Sequence, residues 1–326
     1  MNPLPQLHRS STSDEREHIE LLLKVARMYY EDGATQAHIA KQVGYSRPTV
    51  SRLLTEAREQ GVVHIRITHP LERAMSMEQE LAQKFGLLGA RIADSEDLGD
   101  HTQKIARCAA DYIIETSPDD STIAVSNGYA VNATVEAMPR MGWGASRVIQ
   151  AIGAADNDEV LVDASETCRR LASRLGGRHF ALPAPLVVSS AEVATSLIQS
   201  NQVANILHHA SHADMALVGI GTIEDRHSGY IFDGYVEPET SKVVNSAGAV
   251  GHICGHHFDA AGRHIVTPMC SRTIGITLQE LAELPRVVGV AWGEHKLEAI
   301  RAALLGRFVS VLVTDRETAT ALLASE

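Results

Sequence analysis

Residues 35–61 read TQAHIAKQVGYSRPTVSRLLTEAREQG, and their punctuation decides the fold of the N-terminal part of the chain. Thr35 suits the N-cap of a helix that buries Ile39, Ala40 and Val43 and stops at Gly44. Ser46 suits the N-cap of a further helix, RPTVSRLLTEAREQ, with Pro48 in its first turn, where a missing N–H costs nothing, and Gly61 just past its end. Ala40, Gly44 and Val50 lie four and then six residues apart. A small residue at the first position lets a crossing helix approach, the second must accept positive φ in a tight turn, and the third plugs the space between helices. Leu53 fills a remaining core slot. That pattern is a helix-turn-helix, whose last helix enters the major groove of DNA. Upstream, HIELLLKVARMYYE (18–31) places apolar residues at 19, 22, 23, 26 and 29, a helical stripe stopped by Gly33. The alternative, a plain three-helix bundle with surface arginines, is weaker because caps, turn glycine and local charge all agree.

On the recognition helix, Ser46, Arg47, Thr49, Ser51 and Arg52 are the side chains in reach of DNA. Arginine reads guanine bidentately, while serine and threonine more often hold phosphates. Gln36, opening the preceding helix, is a phosphate contact. VVHIRIT (62–68) reads as a short strand that could form a wing.

Charge supports this division. The 326 residues carry a net charge of −11. Residues 18–68 hold seven basic and five acidic side chains, and residues 69–326 carry −12. Only the head can face a polyanion without repulsion. The expected organisation is a disordered polar arm (1–17), the helix-turn-helix domain (18–68), a linker helix (69–85) and an α/β body (86–326). No apolar run reaches the ~18 residues of a membrane span, and the arm lacks an apolar signal core, so a cytoplasmic protein without membrane contact is expected. Cys108, Cys168, Cys254 and Cys270 form no CxxC pair and should be reduced thiols.

In the body, TIAVS (122–126), RVIQAIG (147–153), DMALVGIG (214–221), RVVGVAW (286–292) and FVSVLVTD (308–315) read as strands. Helices are expected at 75–85, 129–138, 159–175, 191–210 and 294–306. Apolar β-branched runs alternating with helices indicate a mostly parallel sheet covered on both faces. Ligands bind such sheets at the carboxyl ends of the strands. Three of those ends are small or polar: Ser126-Asn127-Gly128, Gly219-Ile220-Gly221-Thr222 and Gly293-Glu294-His295-Lys296. A single glycine turn is explained by geometry alone. Three at one edge favour a phosphate or sugar site, with free N–H groups at a helix N-terminus as the anion donors. Lys296 is either a phosphate-binding charge or a solvated first-turn lysine.

Taken together, LLLKVARMYYEDGATQAHIAKQVGYSRPTVSRLLTEAREQGVV (21–63) and, in order, LASRLGG, LPAPLVV, ALVGIGT, GHICGHHFDAAG, RTIGI and AIRAALLGRFVSVLVTD resemble the SorC family of sugar-binding transcriptional regulators over nearly the whole chain. The resemblance implies a Rossmann-like α/β effector domain related to phosphosugar isomerases and deaminases. It also implies a sugar, polyol or, above all, sugar-phosphate effector, and a homodimer or homotetramer on a palindromic operator in front of a carbohydrate or polyol operon. It assigns Ser126, Asn127 and Gly128 to one effector loop, Gln150 and Gly153 to a second, and Gly219, Gly221 and Thr222 to a third. His252 and Asp259 fall in the histidine-rich block, and Arg272 and Lys296 would supply positive charge. The chain departs from the family pattern at His252 and His257, where an acidic and an aromatic residue are usual.

The sequence also offers two rival functions. His252, Cys254, His256, His257 and His264 lie within 13 residues, and His208, His209 and His212 form a second group. Imidazole and thiolate suit zinc or copper, so a metal-responsive repressor is an alternative. The spacing matches no structural zinc module, however, and no metal site is expected. A phosphosugar isomerase or deaminase is the other alternative, but fold is not function and no acid/base carboxylate pair stands in the candidate loops. No catalytic residue and no cofactor are expected.

Overall fold

Gly44 adopts φ 74°, ψ 22°, and its N–H bonds the Ala40 carbonyl, so the tight turn falls where the glycine stands. The computed structural model describes residues 11–63, 70–93, 100–154, 163–223 and 238–325. The chain divides into two units, Met1–Thr68 and His69–Glu326.

The first unit packs α1 (Ser11–Tyr30), α2 (Gln36–Val43) and α3 (Arg47–Glu59) around Leu22, Val25, Ile39, Val50, Leu53 and Leu54. The Thr35 hydroxyl accepts a bond from His38 N and caps α2. The Ser46 hydroxyl accepts one from Thr49 N and caps α3. One boundary differs from expectation: residues 11–17 are helical, not part of a loose arm. They continue a helix already anchored by its buried stripe, are mostly polar residues that a helix tolerates, and gain an Arg16–Glu20 ion pair at 3.2 Å one turn apart. Residues 61 and 62 form a turn. The strand expected over 62–68 falls mainly outside the described residues.

The second unit opens with α4 (Pro70–Phe85), which is not a free linker. Its Ala74 and Leu81 are buried in the body's core, with Met77 and Phe85 beside them. Glu78 accepts a bond from Ile92 N at 2.9 Å. Lys84 donates to the carbonyls of Leu323, at 3.0 Å, and Ser325. The apolar stripe read as a linker's is therefore a docking face.

The strands that follow are β1 (Gly89–Ala93), β2 (Thr122–Val125), β3 (Arg147–Gln150), β4 (Arg178–Phe180), β5 (Met215–Gly219), β6 (Gly221–Thr222), β7 (Ala249–Ile253), β8 (His256–Asp259), β9 (His264–Ile265), β10 (Val287–Val290) and β11 (Val311–Asp315). Between and after them run α5 (His101–Thr116), α6 (Tyr129–Ala137), α7 (Ala164–Leu175), α8 (Ala191–Ile198), α9 (Asn201–Ala210), α10 (Pro238–Ser246), α11 (Leu278–Glu283), α12 (Leu297–Leu305) and α13 (Arg316–Ala324). Among the described residues, seven strands form one parallel sheet in the order β1-β11-β10-β5-β2-β3-β4. Ile123, Ala124, Val125, Val148, Leu217, Val218, Val288 and Leu312 are all fully buried, because each face of the sheet carries its own apolar cluster. From β2 the chain steps outward to β3 and β4, and β5 then returns to the other side of β2. The direction of winding reverses between β2 and β5, which is where open α/β sheets place their ligands.

Several elements depart from the sequence reading. The strand expected at 214–221 ends at Gly219. Gly221 and Thr222 instead start a separate antiparallel sheet, β6-β7-β8-β9. The helix expected at 159–175 starts at Ala164, where Asp163 caps Ser165 N at 2.9 Å, and residues 155–162 lie outside the described set. The helix expected at 191–210 is broken at Gln199-Ser200 into α8 and α9. That at 294–306 begins with a 3-10 turn, Glu294–Lys296, before α12. β1, α5 and the small sheet were not foreseen.

Leu81→Ala tests the role of α4. Deleting a fully buried leucine from a core should cost about 2–5 kcal/mol in the unfolding of the body, measured by denaturant melting. A loss within about 0.5 kcal/mol, as at an exposed site, would return α4 to the status of a linker.

Candidate functional site

Four neighbouring strands, β10, β5, β2 and β3, end along one edge of the body, and the loops after the first three close on one another. After β2, Ser126 and Asn127 are buried. Ser126 N donates to Leu217 O at 3.1 Å, and its hydroxyl donates to the Asn127 carbonyl at 3.1 Å. Gly128 opens α6 at φ 117°, a conformation that a side chain would strain. Gly219, paired with Val290, packs beside this loop: a Cβ on it would meet the Asn127 carbonyl at 3.9 Å. Gly221 lies flat against the His252 ring, so that any side chain there would overlap the imidazole. Thr222 and His252 are both buried. β6 runs alongside the Glu294–Lys296 turn, which leaves β10 through Gly293 at φ 101°.

Lys296 is half-buried in that turn. Removal from water pushes its ammonium below the ordinary lysine range. No ion pair with a carboxylate involves it among the described residues. The loops of Ser126–Gly128 and Gly219–Thr222, with His252 and Lys296, thus make a glycine-lined edge with a positive charge that has no carboxylate counter-ion among the described residues.

The other predicted effector residues are engaged within the protein: Gln150 and Gly153 at the end of β3 and just after it, Asp259 and Arg272 on or after the small sheet. Gln150 is buried and its amide is consumed inside the protein: Nε2 donates to Ile152 O at 2.7 Å, and Oε1 accepts from Leu182 N at 3.0 Å and Ser165 Oγ at 3.3 Å. Gly153 is a packing glycine; a Cβ on it would collide with the Pro185 backbone. Asp259 sits in the β8–β9 turn, accepting from Ala261 N (3.0 Å), Arg263 N (2.9 Å) and Arg263 Nε (2.8 Å). Those backbone and side-chain bonds from Arg263 hold its carboxyl below the usual range. Arg272 ends a 3-10 turn, Cys270–Arg272, that packs against α8.

In the first unit, Arg47, Ser51 and Arg52 are exposed on the N-terminal half of α3. The Ser46 and Thr49 hydroxyls lie 2.8 Å apart and serve the cap. Gln36 is half-buried at the start of α2, in a shallow groove lined also by Tyr29, Gly33, Thr35, Ala37 and Arg47. The N–H groups at the start of α2 and the Arg47 guanidinium make this groove receptive to an anion.

The histidine block separates into parts. Cys254 and Gly255, at φ 51° and 78°, form the two-residue turn between β7 and β8. Burial pushes the Cys254 thiol up to about 12. His256, His264 and Cys270, by contrast, converge on one another. Burial alone would raise the Cys270 thiol; interactions with the His256 and His257 rings, the Thr267 hydroxyl and the His257 backbone bring it down to about 3. Cys270 was overlooked in the sequence because it stands beyond the histidine block and after Pro268. The His208 and His212 rings, at and just past the end of α9, lie with centroids 4.2 Å apart and planes tilted by 45°, as a separate group.

Comparison with known proteins gives a consistent picture. A profile of the family described as "Putative sugar-binding domain" matches residues 69–324. The deoxyribonucleoside regulator of Bacillus subtilis is 33% identical over 310 residues, covering 94% of this chain and 98% of that one. The transcriptional regulator LsrR of Klebsiella pneumoniae is 35% identical over 312 residues, covering 94% and 93%. The crystal structure of the full-length sorbitol operon regulator SorC from Klebsiella pneumoniae superposes with a TM-score of 0.75 at 32% identity, covering 94% and 99% of the two chains. Among the described residues no helix is long and apolar enough to cross a membrane. On this footing, with its parallel sheet and its glycine-lined strand ends, the chain belongs to the SorC family of sugar-binding transcriptional regulators.

Proposed function

We propose that this protein regulates transcription of a carbohydrate or polyol catabolic operon. α3 reads a palindromic operator, two copies being presented by a homodimer or homotetramer, and the body binds a phosphorylated sugar at the carboxyl edge of its sheet. The observation that carries the effector reading is Lys296: a half-buried ammonium without a carboxylate partner among the described residues, beside two glycine loops at the reversal point of the sheet. A phosphate would supply the missing negative charge, with the amides at the start of α6 as hydrogen-bond donors. The sugar hydroxyls would face Ser126, Asn127, Thr222 and His252. Gln150, bonded to Ile152, Leu182 and Ser165, and Gly153, packed on the Pro185 backbone, fix the loop that leaves β3 at the same edge.

The −12 charge of residues 69–326 leaves the three-helix unit as the DNA-facing part. Arg47 and Arg52 are the candidate base readers, Ser51 and Gln36 the phosphate contacts, and Ser46 and Thr49 position the N-terminus of α3. Effector control requires that the phosphosugar bind the DNA-competent and DNA-incompetent arrangements of the oligomer with different affinity.

Arg47→Ala and Arg52→Ala test the DNA half by fluorescence anisotropy on the operator. A base reader should lose about 1–3 kcal/mol, and discrimination at one base pair with it. A phosphate contact should weaken all sequences alike and lower the salt slope by about one. Unchanged affinity in both variants would remove α3 from the interface.

A thermal-shift panel of sugars, polyols and their phosphates tests the effector half. A ligand at about 100 times its Kd adds about 2.7 kcal/mol of stability. The shift should be confined to phosphorylated compounds and be lost in Lys296→Met. Because the Lys296 pKa is depressed, phosphosugar affinity should fall as pH rises at a pH below about 10.4, where an ordinary lysine loses its charge. Stabilisation by unphosphorylated compounds alone would defeat the phosphate assignment.

A further inference from the structure

We infer that His256, His264 and Cys270 form a binding site for a late first-row transition-metal ion of the zinc type. The register of the β8–β9 hairpin pairs Phe258 with His264, which sets His264 diagonally across from His256 on the same face. Their rings meet edge-on with centroids 5.7 Å apart. Cys270, at the start of the following 3-10 turn, brings its thiol to the same point. One ligating atom from each of the three lies within 4.8 Å of the others. Zinc holds nitrogen at ~2.0–2.1 Å and sulfur at ~2.3 Å, which sets ligand atoms about 3.5 Å apart around a tetrahedron. Side-chain rotation of about an ångström therefore closes the set.

A second observation is independent of the spacing. Both ring nitrogens of His256 are buried and, among the described residues, lack a hydrogen bond of normal geometry. Orphaned buried nitrogens are costly, and a metal would satisfy one of them. The donor set, two imidazoles and a thiolate, selects zinc, cobalt or copper over magnesium and calcium. Three protein ligands leave a fourth position for water or an outside ligand, and His264, which is exposed, leaves it open to solvent.

The site also has a defined place in the body. Beyond Cys270 the chain bridges Thr273 to Val187 and Gly275 to Ile152, and Ile274 O accepts from Gly153 N at 2.8 Å. The Cys254-Gly255 turn rests against Thr273. An ion held by His256, His264 and Cys270 would pin the β8–β9 hairpin to the strap running past the end of β3.

The test uses the full chain purified without a polyhistidine tag, stripped with chelator and titrated with Co2+ and Zn2+. One equivalent of Co2+ should give a tetrahedral spectrum with a thiolate-to-cobalt charge-transfer band, and Zn2+ should displace it and raise the melting temperature. Cys270→Ser should abolish the band. His264→Asn, a change at an exposed side chain, should weaken binding about tenfold or more and reads the site even if Cys270→Ser folds poorly. His208→Asn with His212→Asn should change nothing. A band that survives Cys270→Ser in a folded protein, less than one equivalent bound, or loss of binding only in the α9 double variant would overturn the site. None of these readouts involves DNA or sugar phosphate, so the result stands apart from the effector assignment.

Discussion

A parallel sheet buried on both faces has no room for polar chemistry except at its ends. Here Ile123 to Val125, Leu217 and Val218, and Val287 to Val290 are buried on one face or the other, so every functional group must leave the sheet with the chain. The strands all run the same way, so their carboxyl ends share one edge, and the reversal between β2 and β5 opens a gap there. Ser126–Gly128, Gly219–Thr222 and Lys296 gather at that edge because the topology allows them nowhere else. The partial positive charge of the α6 N-terminus points to the same place.

The legible parts of the sequence were those in which a local rule coincides with a tertiary need. Thr35, Gly44 and Ser46 are read correctly because a cap and a left-handed turn leave their mark on the residue itself. The strands at 122–126, 286–292 and 308–315 are legible because both their faces are apolar. The strand at 214–221 was read too long because Gly219-Ile220-Gly221 carries no charge or proline to mark the point where the chain changes sheets. β7 and β8 were illegible for a related reason. Their tight turn is made by Cys254-Gly255, and cysteine seldom accepts positive φ, so the hairpin has only half of the usual signal.

At the candidate site, residue type was a weaker guide than register. Gln150 and Asp259 are polar and lie in or near loops, yet the first spends its amide on Ile152, Leu182 and Ser165, and the second spends its carboxylate on its own turn. Only the side-chain hydrogen bonds of the folded chain show this. The reverse holds for Cys270, which looks isolated in sequence and is brought to His256 and His264 by one hairpin and one turn.

The docking of α4 has a further meaning. The body begins with α4 and β1 and finishes with β11 and α13; β1 pairs with β11, and Lys84 near the end of α4 holds the carbonyls of Leu323 and Ser325. Entry and exit of the polypeptide are therefore adjacent, closed by the body's own hydrogen bonds. Such a body is a self-contained cassette. A segment joined ahead of α4 therefore meets a body that its own hydrogen bonds already close, far along the chain from the strand-end loops of Ser126–Gly128 and Gly219–Thr222.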